Sequence, residues 1–147
     1  MHTLSHKTLT RRAIHGFTLV ELLVVLAILG MLAGLVGPKV LNQLGGAKSK
    51  TAKIQIKDFE QALDIYKLDV GRVPNAQEGL KALVERPGNV SGWNGPYLKK
   101  SELPKDPWGR DYVYTIPGKH GDVDIVSLGA DGAPGGEGEN ADIVSWD

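Results

Sequence analysis

From Phe17 to Gly37 the chain reads FTLVELLVVLAILGMLAGLVG, with Glu21 its only charged residue. As an α-helix rising about 1.5 Å per residue, this run reaches about 30 Å, the thickness of a bilayer's hydrocarbon core. Beyond Pro38 the pattern changes from continuous to periodic. Ala52, Ile56, Phe59, Leu63, Tyr66 and Val70 recur at intervals of four and three, while Lys50, Lys53, Lys57 and Asp58 fall off that stripe. The spacing predicts an amphipathic helix that packs on its own globular part and stops at Gly71. Pro38 removes a helical donor and crowds the preceding turn. With Gly30, Gly34 and Gly37 before it and Gly45-Gly46 after it, the stretch from about 30 to 46 is expected to bend, or to unwind locally when subunits pack.

The remainder alternates on a shorter scale. PNAQEGLKALVERP predicts a second, short helix around Gln77–Glu85, closed by Pro87. Residues 88–107 are loop-rich, with turn signals at Asn94-Gly95-Pro96 and Asp106-Pro107. Tyr112–Ile116 reads as a strand, Lys119-His120-Gly121 as a hairpin turn, Asp122–Leu128 as a second strand, and Ile143–Trp146 as a third. Laid on the helix stripe, these strands make a small antiparallel sheet and an α+β roll. Trp93, Trp108 and Trp146 are read as cover for a small core.

Charge sharpens this division. The 17 basic and 17 acidic side chains of the 147 residues cancel, but they are not mixed. Residues 1–16 carry Lys7, Arg11 and Arg12 and no acid, and residues 121–147 carry seven acids and no Lys or Arg. The neutral total argues against a nucleic-acid partner. The chain has no Cys, which excludes a disulfide framework, a zinc–thiolate site and a cysteine nucleophile.

The N-terminal junction is unusual. A secretory signal is cut after its apolar core, at small residues, whereas here Gly16 stands before the core, directly after the basic leader. A carboxylate in hydrocarbon is costly, so Glu21 must either lie shallow enough to reach the head groups or find a partner. The residues Gly16-Phe17-Thr18-Leu19-Val20-Glu21 resemble the type IV prepilin signature. That resemblance implies cleavage by a prepilin peptidase between Gly16 and Phe17 and N-methylation of Phe17. It divides the chain into a leader 1–16, a transmembrane and fibre-core helix 17–37, an amphipathic helix 38–71 and a globular domain 72–147. It also implies a partner for Glu21, the α-amino group of Phe17 on a neighbouring subunit, and an assembly role for Pro38, since this segment melts on assembly in pilin-like proteins.

GRVPNAQEGLKALVERP, LPKDPWGRDYVYTIPG and the ending DIVSLGADG…DI resemble the major pseudopilins of the type II secretion system. The fold implied is type IV pilin-like. Adhesive pilins commonly close their C-terminal region with a disulfide, and the absence of Cys favours the pseudopilin. Residues 128–143, LGADGAPGGEGENADI, combine tight-turning glycines with the oxygens of Asp131, Glu137, Glu139, Asn140 and Asp142. Such a loop suits Ca²⁺, which takes oxygen ligands, or else is a solvated acidic loop. It matches neither an EF-hand nor a P-loop. The resemblance favours one structural Ca²⁺, with Asp131, Asp142 and the Leu128 carbonyl as ligands and Ala133, Glu139 and Asn140 as secondary candidates.

Of the four His, only His120 lies outside the leader, and it is read as a surface turn residue; the chain is expected not to be an enzyme. The resemblance implies a homo-oligomeric helical pseudopilus with minor pseudopilins and an inner-membrane assembly platform as partners. The precursor would sit in the inner membrane with its domain in the periplasm. The fibre would push folded proteins through an outer-membrane secretin. Two other readings stand beside it: a type IV pilin for adhesion, motility or DNA uptake, and a membrane-anchored periplasmic hydrolase or binding domain.

Overall fold

The computed structural model describes residues 15–147. Most of the expected leader, including Lys7, Arg11 and Arg12, lies outside the described residues. Helix α1 runs over Leu19–Val70. The strands β1 (Val113–Thr115), β2 (Asp124–Ser127) and β3 (Ile143–Val144) follow. The chain forms two compact units that divide between Lys39 and Val40.

In the first unit, α1 starts on reciprocal hydrogen bonds. The Glu21 N–H donates to Thr18 Oγ1 at 3.1 Å and the Thr18 N–H donates to Glu21 Oε2 at 2.9 Å. Thr18-x-x-Glu21 is thus a capping box, which satisfies helix donors that have no partner in the first turn. Every large apolar side chain from Leu19 to Val36 is exposed, from 47% at Val25 to 81% at Leu19. The helix is apolar and long enough to cross a membrane.

The expected break at 30–46 is not seen in the single chain, where α1 continues through Pro38. Side chains added at Gly30, Gly34, Gly37 or Gly46 would meet nothing within 4 Å. Crowding inside the chain therefore does not explain these glycines.

In the second unit the predicted stripe becomes the core. Ala52, Ile56, Phe59, Leu63 and Tyr66 are buried, joined by Ala62, and Val70 packs at their edge. They meet Leu80, Ala82, Leu83, Tyr112 and Ile125. Phe59 and Tyr112 pack edge-to-face at 5.0 Å, as do Tyr66 and Tyr97 at 5.5 Å. The Tyr112 hydroxyl donates to Gln55 Oε1 across the core's rim. Burial raises the Tyr112 phenol well above its ordinary range, and burial pushes Tyr114 up to about 12.

The sheet is antiparallel in the order β1-β2-β3, with Tyr114 opposite Ile125 and Val126 opposite Val144. All three strands are shorter than their sequence patterns. Gly118 N–H bonds the Asp122 carbonyl, which draws residues 116–123 into the connection. At the other edge Ser145 donates its N–H to the Ile125 carbonyl at 3.0 Å, and its Oγ accepts the Ile125 N–H at 3.1 Å, where a regular ladder would use the carbonyl.

The expected helix at Gln77–Glu85 is a 3-10 turn, Leu80–Leu83. Asn75 Oδ1 accepts the N–H groups of Gln77 and Glu78, folding an Asx turn where the helix would begin. Gly79 then takes φ 56°, outside the α region.

Trp93 covers the core as expected and donates its indole N–H to the Ala82 carbonyl. Trp146 does not, being 43% exposed and stacked on His120 at 3.8 Å. His120 is thereby more than a turn residue: its Nδ1 lies 3.1 Å from Oδ2 of the buried Asp124.

Candidate functional site: the processing motif and the acidic loop

Gly16 and Phe17 precede α1, and Phe17 is 89% exposed. The bond between them therefore stands in exposed chain outside any helix or strand. Glu21, in the first turn of α1, places its carboxylate beside the helix N-terminus, where a negative charge is favoured. The spacing Thr18-x-x-Glu21 is the sequence signature of this cap.

The acidic loop leaves β2 at Ser127 and returns to β3 at Ile143. It is closed by its own main chain. Ala130 N–H donates to the Glu139 carbonyl at 2.9 Å, and Asp142 N–H to the Gly135 carbonyl at 3.1 Å. Asp142 answers through its side chain, Oδ2 accepting the Gly135 N–H at 2.9 Å. Asp131 Oδ1 accepts the Ala133 N–H at 3.0 Å, and the Leu128 carbonyl accepts the Gly132 N–H at 3.2 Å. The loop is thus a folded object, not a solvated tether.

The candidate ligands divide on this geometry. Asp142 Oδ1 is buried without a hydrogen-bond partner. A buried carboxylate oxygen with nothing donating to it is costly, and a cation would complete it. Asp131 lies exposed on the same loop. Glu139 is different: its side chain lies against α1 at Gly45, so close that a Cβ on Gly45 would overlap it, and its carbonyl is taken by Ala130. Glu139 therefore ties the loop to the helix, which makes it a poor side-chain ligand. Asn140 sits in the 3-10 turn Gly138–Asn140. Ala133 enters this geometry through its N–H bond to Asp131. Among the described residues, no three acidic or His side chains gather into a group able to hold a metal. A metal held here would need main-chain oxygens as well, a donor type that Ca²⁺ accepts.

Two residues outside the loop hold it, and sequence reasoning missed both functions. Asp106, 4% exposed, accepts the N–H groups of Trp108 and Arg110 on Oδ1 and the Ser127 hydroxyl on Oδ2. Arg110 donates to the carbonyls of Gly129 and Ala130. D-P-W-G-R reads only as a turn, because nothing periodic announces a contact twenty residues away.

Comparison with known proteins agrees with both ends of the chain. The family described as type II secretion system (T2SS), protein G matches residues 39–146, and the prokaryotic N-terminal methylation motif matches residues 11–37. The type II secretion system core protein G of Pseudomonas aeruginosa is 51% identical over 141 residues, 93% of this chain and 98% of the relative. That of Vibrio cholerae is 48% identical over 134 residues, 89% of this chain and 90% of the relative. The crystal structure of the major pseudopilin from the type 2 secretion system of enterohaemorrhagic Escherichia coli is similar at a TM-score of 0.60 and 35% identity. It covers 74% of this chain and 95% of its own. With the methylation motif, the stripe-on-sheet fold and these matches in agreement, the chain belongs to the type II secretion system protein G family, the major pseudopilins.

Proposed function

We propose that this chain is the major structural subunit of a type II secretion pseudopilus, and that its role is mechanical rather than catalytic. The observation that carries the reading is the row of exposed apolar side chains from Leu19 to Val36, which directly follows Gly16-Phe17-Thr18-Leu19-Val20-Glu21. Within one chain this surface has no cover. A bilayer covers it before assembly, and the same helices of neighbouring subunits cover it afterwards. The precursor therefore lies in the inner membrane with its second unit in the periplasm. A prepilin peptidase cuts after Gly16 and methylates Phe17. The subunits then leave the membrane through an assembly platform, joined by minor pseudopilins at the fibre, which drives folded proteins through a secretin. In the fibre Glu21 pairs with the α-amino group of a neighbour's Phe17. A slipped register would leave both charges buried and unpaired.

We further infer that the acidic loop holds one structural Ca²⁺. The donor set fits: hard oxygens only, with Asp142 Oδ1 buried and unpartnered. Asp131, Asp142 and the Leu128 carbonyl would hold it. The ion would staple loop to strand in a chain without Cys.

Mass spectrometry of the N-terminus of the protein isolated from membranes tests the main reading. Methylated Phe17 is expected. An intact leader, or cleavage near Gly37, overturns it.

A further inference from the structure

The acidic loop carries Asp131, Glu137, Glu139 and Asp142, and its first residues lie against a cation the chain itself supplies, Arg110. Ser127 is fully buried at the end of β2 and donates its hydroxyl to Asp106 Oδ2 at 2.7 Å. Asp106 Oδ1 accepts the Arg110 N–H at 2.8 Å, and Asp106 N–H returns a bond to the Arg110 carbonyl at 2.8 Å. The main chain of Arg110 is therefore fixed to the last residue of β2. Its side chain reaches forward, Nη1 donating to the Gly129 carbonyl at 2.8 Å and Nη2 to the Ala130 carbonyl at 2.9 Å. Gly132, at φ 67°, lies against the guanidinium, where a Cβ would stand 2.8 Å from Arg110 Cζ. Three of the first five residues after β2 thus take their path from one planar, rigid fork.

We propose that Arg110 is a positioning residue for the cation loop: its fork presets the main-chain path that carries Asp131 and so raises the loop's affinity for a divalent cation. The inference rests on the calcium reading above and adds to it a residue from outside the acidic segment. It makes a prediction opposite in sign to simple electrostatics. By charge alone, a guanidinium near a cation site repels the ion, so its removal tightens binding. As a positioning group its removal weakens binding, by about 10- to 100-fold, as for other partners that orient metal ligands.

The test is calorimetric titration of CaCl₂ into the full chain in detergent, for the natural protein and for Arg110→Gln, Arg110→Lys and Asp142→Ala. Amide hydrogen exchange in chelator runs alongside. Binding by the natural protein, loss of binding in Asp142→Ala and a 10- to 100-fold weakening in Arg110→Gln are expected. Arg110→Lys, which keeps the charge and loses the fork, should also bind more weakly than the natural protein. In chelator, Arg110→Gln should speed exchange at the Ala130 and Gly132 amides. Equal or tighter binding in Arg110→Gln, or natural affinity in Arg110→Lys, overturns the positioning role. Absence of Ca²⁺ binding by the natural protein overturns the calcium reading and with it any cation role for Arg110. The exchange data then separate the two failures. Fast exchange shows that the fork organises the loop without a metal, and unchanged exchange shows that it does not.

Discussion

Asp106 offers the sharpest stability test, because one buried carboxylate serves three donors. Trp108 N–H reaches it at 3.0 Å, Arg110 N–H at 2.8 Å and Ser127 Oγ at 2.7 Å, with the residue 4% exposed and Ser127 fully buried. Hydrogen bonds to a charged group contribute about 1.5–3 kcal/mol each, and a buried donor left alone costs about 1–3 kcal/mol. The contributions are not additive. Water can enter the 106–110 turn to meet the two amides, but less easily the Ser127 hydroxyl. Asp106→Ala is therefore expected to cost about 3–5 kcal/mol, a large fraction of a domain's usual 5–15 kcal/mol. Asp106→Asn keeps the acceptor for both amides and offers Ser127 a donor, so about 1 kcal/mol is expected. In a Ser127→Ala background the Asp106→Ala cost should fall by about 1 kcal/mol, since one stranded donor is gone. Urea unfolding of the compact unit Val40–Asp147, followed by far-ultraviolet circular dichroism at neutral pH, reads all three. The slopes should match, so that the midpoints report stability. A loss under 1 kcal/mol in Asp106→Ala, or equal losses in Ala and Asn, would refute the reasoning.

Other outcomes follow from the same geometry. Ca²⁺ at about 100 times its dissociation constant should stabilise the second unit by about 2.7 kcal/mol, raising its melting temperature by roughly 10 °C; identical melting curves in Ca²⁺ and chelator would sink the metal assignment. Glu21→Ala should abolish subunit crosslinking and fibre formation while leaving the precursor in the membrane; normal fibres from this variant would remove the pairing with Phe17. The Arg72 hydrogen bond holds Glu78 below the ordinary carboxylate range. Its contribution is thus fully present above the unfolded value, about 4.3, and fades as pH falls through the lower folded value. Glu78→Gln should flatten the acid side of the stability curve, and an unchanged slope below about pH 4 would count against the pair.

Local pattern carried much of the architecture. The stripe from Ala52 to Tyr66 is buried as spaced, because a helix repeats every 3.6 residues and a core selects one face. The three strands lie where alternation places them, though their ends are set by Ser145 and by the turn at Gly118. The N-terminal methylation motif is legible because it is a short linear string, continuous in the chain.

The acidic loop marks the other limit. Its composition announced oxygen-rich chemistry, but not which oxygens are free. Glu139 belongs to Gly45 on the helix, Asp142 keeps one buried oxygen unpartnered, and Arg110 grips Gly129 and Ala130. The short helix at Gln77–Glu85 was lost for a similar reason, since Asn75 and Arg72 claim its first residues. Hydrophobic burial is read from periodicity because it is a property of faces. A polar contact is a property of single atoms, so only the folded chain, which brings residues 106, 110, 127 and 129 together, decides where each hydrogen bond goes.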